Sequence, residues 1–162
     1  MIPPTNILLG NKKGKEGGVM FKVDQTRFGG KDTLLERRGN CFQACVAMAL
    51  QIPLEEAFDH TFIEDDQWFG EFNKWLAQYG LGCIFLETSE EKPATCSEFL
   101  GIHIAELRSD TLYNGILHAV VMRGGDLLYD PLPNAQEQGK CQGVYIFVPL
   151  EAYRLVRTAS MK

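Results

Sequence analysis

The stretch Cys41-Phe-Gln-Ala-Cys-Val-Ala-Met-Ala-Leu50 stands behind Gly39-Asn40 and is apolar on almost every face, with Gln43 its one clearly polar residue. A helix of that kind has no side to offer to water, so it belongs at the centre of a fold. Asn40 is a good helix N-cap and Pro53 is placed to close the helix. Burying it on all sides requires a second layer, and a chain of 162 residues is long enough to supply one as a single ordinary domain.

The remaining chain shows where that layer lies. Residues 1–19 are rich in Gly and Lys, sustain no period of 2 or 3.6, and read as a flexible leader; the domain is expected over 20–162, opening with a short extended segment around Phe21 and Val23 and a turn at Phe28-Gly29-Gly30-Lys31-Asp32. After Pro53, Leu54–Phe58 suits a short helical turn and Glu64-Asp65-Asp66 an acidic loop. Trp68, Phe69, Phe72, Trp75, Leu76 and Tyr79 then fall on one face of an amphipathic helix that Gly80 is placed to end. That aromatic stripe is more economically core packing than a ligand box. Beyond Gly80 the segments 81–88, 102–108, 117–123, 126–129 and 143–149 carry the β-branched and aromatic residues of strands, and Arg123-Gly124-Gly125-Asp126 predicts a tight hairpin. Helices first and an antiparallel sheet afterwards is an α+β layout, with the cysteine-bearing helix packed on the sheet.

Charge and composition exclude several function classes. The formal net charge is −5, and Lys12, Lys13 and Lys15 sit in the Gly-rich head rather than on an element, so no basic stripe points to nucleic acid. No run approaches the roughly 18 apolar residues of a membrane span, and Met-Ile-Pro-Pro-Thr-Asn is not a secretion signal. The expectation is a cytoplasmic protein that engages neither membrane nor nucleic acid. The five cysteines, Cys41, Cys45, Cys83, Cys96 and Cys141, are odd in number and irregularly spaced, which suits reduced thiols better than a disulfide framework. With no second pair at zinc-ligand spacing beside Cys41 and Cys45, neither metal nor organic cofactor is expected.

One cysteine stands apart. As the first helical residue, Cys41 places its sulfur at the positive end of the helix dipole, which favours a thiolate; on position alone it is equally a small apolar residue opening a buried helix. A thiolate nucleophile needs an imidazole within hydrogen-bond reach, and the imidazole needs a carboxylate or amide to orient it. His118 opens the apolar strand His-Ala-Val-Val-Met, and Asp130 ends the next one, Leu-Leu-Tyr-Asp-Pro. Taken singly, these are a strand-end histidine and an Asp-Pro turn; with Cys41 they make a set. A turn at 124 and 125 puts 123 opposite 126 and 119 opposite 130, one residue from the register that pairs His118 with Asp130, so a bulge or a one-residue change in turn length is needed to aim both at one point. His60 and His103 are alternative imidazoles without a carboxylate on a neighbouring strand. Cys45, one turn deeper, is expected in the core, and Cys83, Cys96 and Cys141 have no evident polar partner.

Gly39-Asn40-Cys41-Phe42-Gln43-Ala44-Cys45-Val46-Ala47, Ile52-Pro53-Leu54-Glu55-Glu56, His118-Ala119-Val120-Val121 and Leu128-Tyr129-Asp130-Pro131 together resemble the papain-like cysteine peptidases, in particular the compact group that includes bacteriocin-leader-processing peptidases. The resemblance spans roughly 20–150 and implies a Cys, His, Asp order, with the cysteine opening the central helix and the other two on the sheet. It also implies a glutamine whose amide completes the oxyanion hole. The usual place, six residues before the cysteine, holds Leu35, a departure from the pattern. Val23-Asp24-Gln25-Thr26-Arg27-Phe28 resembles a motif near the start of similar short proteins, which makes Gln25 the candidate; the alternative is an exposed turn glutamine.

The reading is therefore a small papain-like cysteine hydrolase that attacks an amide of a protein or peptide substrate through Cys41, His118 and Asp130, with Gln25 at the oxyanion. Peptidase, isopeptidase, deamidase and acyltransferase share this machinery. A catalytically silent binding module is the other reading, favoured by Leu35 and the small size; a structural role for the aromatic helix has nothing positive behind it.

Overall fold

Gln51 ends the central helix with a left-handed backbone (φ 57°), and its neighbour Ile52 donates an N–H to the Ala47 carbonyl at 2.9 Å. The helix, α1 (Cys41–Leu50), thus stops three residues before the proline expected to close it. Gln51 can adopt this conformation because its side-chain amide is held by both backbone groups of Phe21. A computed structural model describes residues 21–28, 39–88, 99–108, 117–133 and 139–151. The 1–19 leader, most of the 28–32 turn, and Cys96 lie outside the described residues.

Two short 3-10 turns, Leu54–Glu56 and His60–Phe62, lead from α1 to α2 (Trp68–Ala77). The chain leaves α2 through a tightened turn in which Gly80 (φ +72°) donates its N–H to the Ala77 carbonyl. There follow β1 (Leu81–Glu87), β2 (Ile102–Arg108), β3 (Leu117–Arg123), β4 (Asp126–Tyr129) and β5 (Lys140–Pro149). They form one antiparallel sheet in the order β1-β5-β2-β3-β4, so the last strand enters between the first two. The α+β layout expected above is what the chain forms. β5 starts three residues earlier than its β-branched run, because Gly143, at the start of that run, continues the ladder rather than breaking it.

Each face of the sheet carries a buried cluster. α1 packs on β2 and β3, and α2 packs on β1. Ala44 through Leu50, Phe72, Leu76, Ile104, Ala119, Val121, Tyr145 and Phe147 share the main core. Ala105, Leu107, Val120, Met122 and Val144 form a second cluster, as the two-residue period of strands requires. The aromatic stripe of α2 is core: Phe72 is fully buried and its ring lies 5.2 Å from Phe42, 5.3 Å from Phe58 and 6.1 Å from Trp75. Among the described residues no helix is long and apolar enough to cross a membrane.

Candidate active site

Cys41 is the first residue of α1, partly exposed, with the rest of the helix buried behind it. Its position is set by its neighbours on either side. Phe42 lies edge-on to four rings, those of His60, Trp68, Phe72 and Tyr145, at centroid distances of 4.9–5.4 Å. Such contacts fix the first turn of the helix far more firmly than a terminal turn is held by its own hydrogen bonds.

Asn40 occupies the N-cap position but makes no capping bond. Its side chain turns away from the helix: Oδ1 accepts the backbone N–H groups of Thr26 (3.0 Å) and Arg27 (2.8 Å), and Nδ2 donates to Thr26 Oγ1 and to Gln43 Oε1. The Asn40 N–H donates to the Arg27 carbonyl at 3.1 Å. Gln43 passes the connection on, donating to the carbonyls of Leu54 and Ala57. One buried amide pair therefore ties the extended segment 21–28, the head of α1 and the first 3-10 turn together. Because the same segment is bonded to Gln51 at its other end, it runs antiparallel along the helix.

Gln25 lies in this segment. It is buried rather than an exposed turn residue, its N–H donates to the Pro131 carbonyl at 3.1 Å, and its Nε2 donates to the Arg27 carbonyl at 3.3 Å. The Arg27 carbonyl thus accepts from both Gln25 and Asn40, which brings the Gln25 amide alongside the backbone that leads into Cys41. Gln25 Oε1 is buried without a hydrogen-bond partner, so this side chain is held by its nitrogen.

On the sheet, β3 and β4 are joined by Gly124-Gly125 with Arg123 opposite Asp126. The register then shifts by one residue between Met122 and Val121, so that Val121 faces Tyr129. Of the two adjustments the spacing of His118 and Asp130 allowed, the chain uses a bulge: a one-residue slip turns every later side chain of the strand to the other face, which brings Asp130 to the face of His118. Asp130, just past the end of β4, places Oδ1 2.7 Å from His118 Nε2. The same oxygen accepts the Leu132 N–H at 2.8 Å, so the Asp-Pro turn and the orienting carboxylate are one structure.

The second partner of the His118 imidazole is the Cys41 side chain. With Nε2 engaged by Asp130, Nδ1 is the ring nitrogen left for the sulfur. Burial alone would lower the His118 pKa, but the bonds to Asp130 and Cys41 outweigh it and hold the ring protonated up to about 9. The imidazole and carboxylate are shielded, with side chains 6% and 11% exposed, while Cys41 is partly exposed.

The other cysteines and histidines are placed differently. Cys45 is fully buried, and burial raises its thiol pKa well above the ordinary value; burial pushes Cys83 up to about 12. His103 is fully buried with Nδ1 on the Gly101 carbonyl, and burial lowers its pKa. His60 packs on Phe42 and Trp68. The His118 imidazole thus joins Asp130 to the Cys41 side chain, and Gln25 is tied through the Arg27 carbonyl to Asn40, the residue before Cys41.

Two features escaped the sequence. Asn40 was read as a cap and is instead the joint between Gln25 and Cys41. Glu106 drew no attention, although a carboxylate two residues from the core residue Ile104, on the same strand face, was the available signal. Comparison of the chain with protein-family models, with curated proteins and with solved structures finds no match, so the arrangement of these side chains carries the functional argument by itself.

Proposed function

We propose that the protein is a cysteine hydrolase of papain-like architecture that cleaves an amide bond of a peptide or protein through a thioester intermediate. The observation that carries this reading is a single shielded imidazole bonded through one nitrogen to Asp130 and partnered on its other side by the thiol of a partly exposed, helix-first cysteine.

In the proposed reaction His118 stands as the imidazolium beside Cys41, and the sulfur attacks the amide carbonyl carbon as a thiolate. The carbonyl oxygen takes up the negative charge, facing the Cys41 N–H at the positive end of α1 and the Gln25 amide nitrogen. The C–N bond breaks as the imidazolium gives its proton to the leaving nitrogen, and an acyl-sulfur bond remains. Water then attacks that thioester, giving a proton to the imidazole, and the acyl-sulfur bond breaks to restore the thiolate beside the imidazolium. Asp130 keeps the imidazole in the tautomer and orientation that both transfers require. Its 2.7 Å bond and its second anchor on the Leu132 N–H support that role.

The test is alkylation by iodoacetamide at neutral pH, followed by peptide mapping. Cys41 is expected to react fastest of the thiols, and His118→Ala is expected to slow it by about 10²-fold, the usual size of a positioned-base effect. Equal rates in the two proteins would refute the thiol–imidazole pair and leave a binding module as the better reading.

A further inference from the structure

A groove of about 710 Å³ is walled by Trp68, Phe69, Phe85 and Tyr145, with Glu106 among its lining residues. It meets the head of the helix that carries Cys41: Tyr145 packs on Phe42, the residue after Cys41, with ring centroids 4.9 Å apart.

The composition of the groove is unusual for an apolar pocket. Three aromatic rings gather around Tyr145, whose ring lies 4.6 Å from Phe85, 5.9 Å from Trp68 and 6.3 Å from Phe69, and whose hydroxyl reaches a carboxylate that shares the groove. Glu106 Oε1 accepts the Tyr145 hydroxyl at 2.9 Å, and no cationic side chain among the described residues pairs with the carboxylate. Burial raises the Glu106 pKa, and only the bond from Tyr145 opposes that rise. A partly buried carboxylate without a counter-ion is costly, whereas one facing an aromatic-lined space is a receptor for a cation, because ring faces attract positive charge as well. The absence of a β-carbon at Gly143 makes room for this wall: one placed there would lie 2.4 Å from the Phe85 ring.

We propose that this groove is the specificity subsite of the enzyme and takes the cationic side chain of a lysine or arginine next to the amide that is attacked. The apolar stem of that side chain lies between the rings and its charged end meets Glu106. The inference rests on the hydrolase reading for its catalytic meaning, but the binding step can be measured without the thiol.

The first measurement is therefore a titration with two unreactive probes, Nα-acetyl-lysine methylamide and Nα-acetyl-norleucine methylamide, followed by Trp68 fluorescence in a Trp75→Phe background. The lysine probe is expected to bind at least tenfold more tightly than its uncharged counterpart, and Glu106→Gln, which keeps an acceptor for Tyr145, is expected to bring the ratio close to one. The second compares the chloromethyl ketones of the same two residues as alkylating agents of Cys41, with the same tenfold preference and the same loss. Equal binding of the two lysine and norleucine probes by the unsubstituted protein overturns the subsite, as does a preference that survives Glu106→Gln. A lysine preference in binding with a thiol inert to iodoacetamide upholds the cationic site and overturns the hydrolase reading alone.

Discussion

His118 Nε2 meets Asp130 Oδ1 at 2.7 Å across a hairpin whose two strands would miss this contact without a one-residue bulge. Against the pull of burial, the bonds to Asp130 and Cys41 raise the imidazole pKa to about 9, so the charged ring contributes stability as well as chemistry. A folded-state pKa above the unfolded value gives stability that is fully present below about 6.5 and lost as pH rises through about 9. Asp130→Asn is expected to remove most of that dependence. Thermal melts between pH 6 and 10 should show the midpoint of the unsubstituted protein falling across this window and that of Asp130→Asn staying nearly level.

Gln25 separates two kinds of reaction at the same sulfur. Displacement of iodide from iodoacetamide develops no oxyanion, whereas acylation by p-nitrophenyl acetate does. Gln25→Ala is expected to slow acylation by about 10²-fold, the usual worth of one oxyanion donor, with a far smaller change in alkylation. Parallel losses in both reactions would make Gln25 a packing residue only.

Asn40 satisfies four polar groups from a buried position, and Asn40→Ala would leave the Thr26 and Arg27 N–H groups and Gln43 Oε1 without it. The expected cost is about 3 kcal/mol, or roughly 10 °C in Tm for a chain of this size. Because Gln25 is positioned through the same residue, acylation at temperatures below the melt should fall as well, which a stability defect alone does not predict.

Gly143→Ala probes the groove wall. The added methyl would collide with the ring edge of Phe85, a side chain able to swing aside, so a loss of about 1 kcal/mol is expected rather than unfolding. Displacement of Phe85 from Tyr145 should be visible as a change in tyrosine near-ultraviolet circular dichroism.

Elements governed by local pattern were legible before any coordinates. The helix 41–50 follows from an unbroken apolar run behind Gly-Asn, and the strand bounds of β2, β3 and β4 match the segments read from β-branched residues. Counting residues around the hairpin showed that a bulge or a one-residue change in turn length was needed, and its place, between Val121 and Met122, came only with the fold. What local pattern could not reveal was the direction of polar side chains with two competing uses. Asn40 has the right chemistry for a cap, but two N–H groups brought to it from fourteen and thirteen residues away form the stronger set. Gln51, likewise, ends α1 earlier than Pro53 because Phe21 supplies partners that only the folded chain brings near. Gln25 lies at a place set entirely by such long-range bonds.

The four residues of the site also differ in when they can meet. His118 and Asp130 belong to one hairpin, twelve residues apart, and contacts that local form with little loop-closure cost. Cys41 and Gln25 come from the opposite end of the chain and reach them only when α1 docks on the finished sheet. The protein thus carries its own clock: a refolding chain sampled with a thiol reagent acquires fast alkylation of Cys41 at the final docking step, after the hairpin has closed.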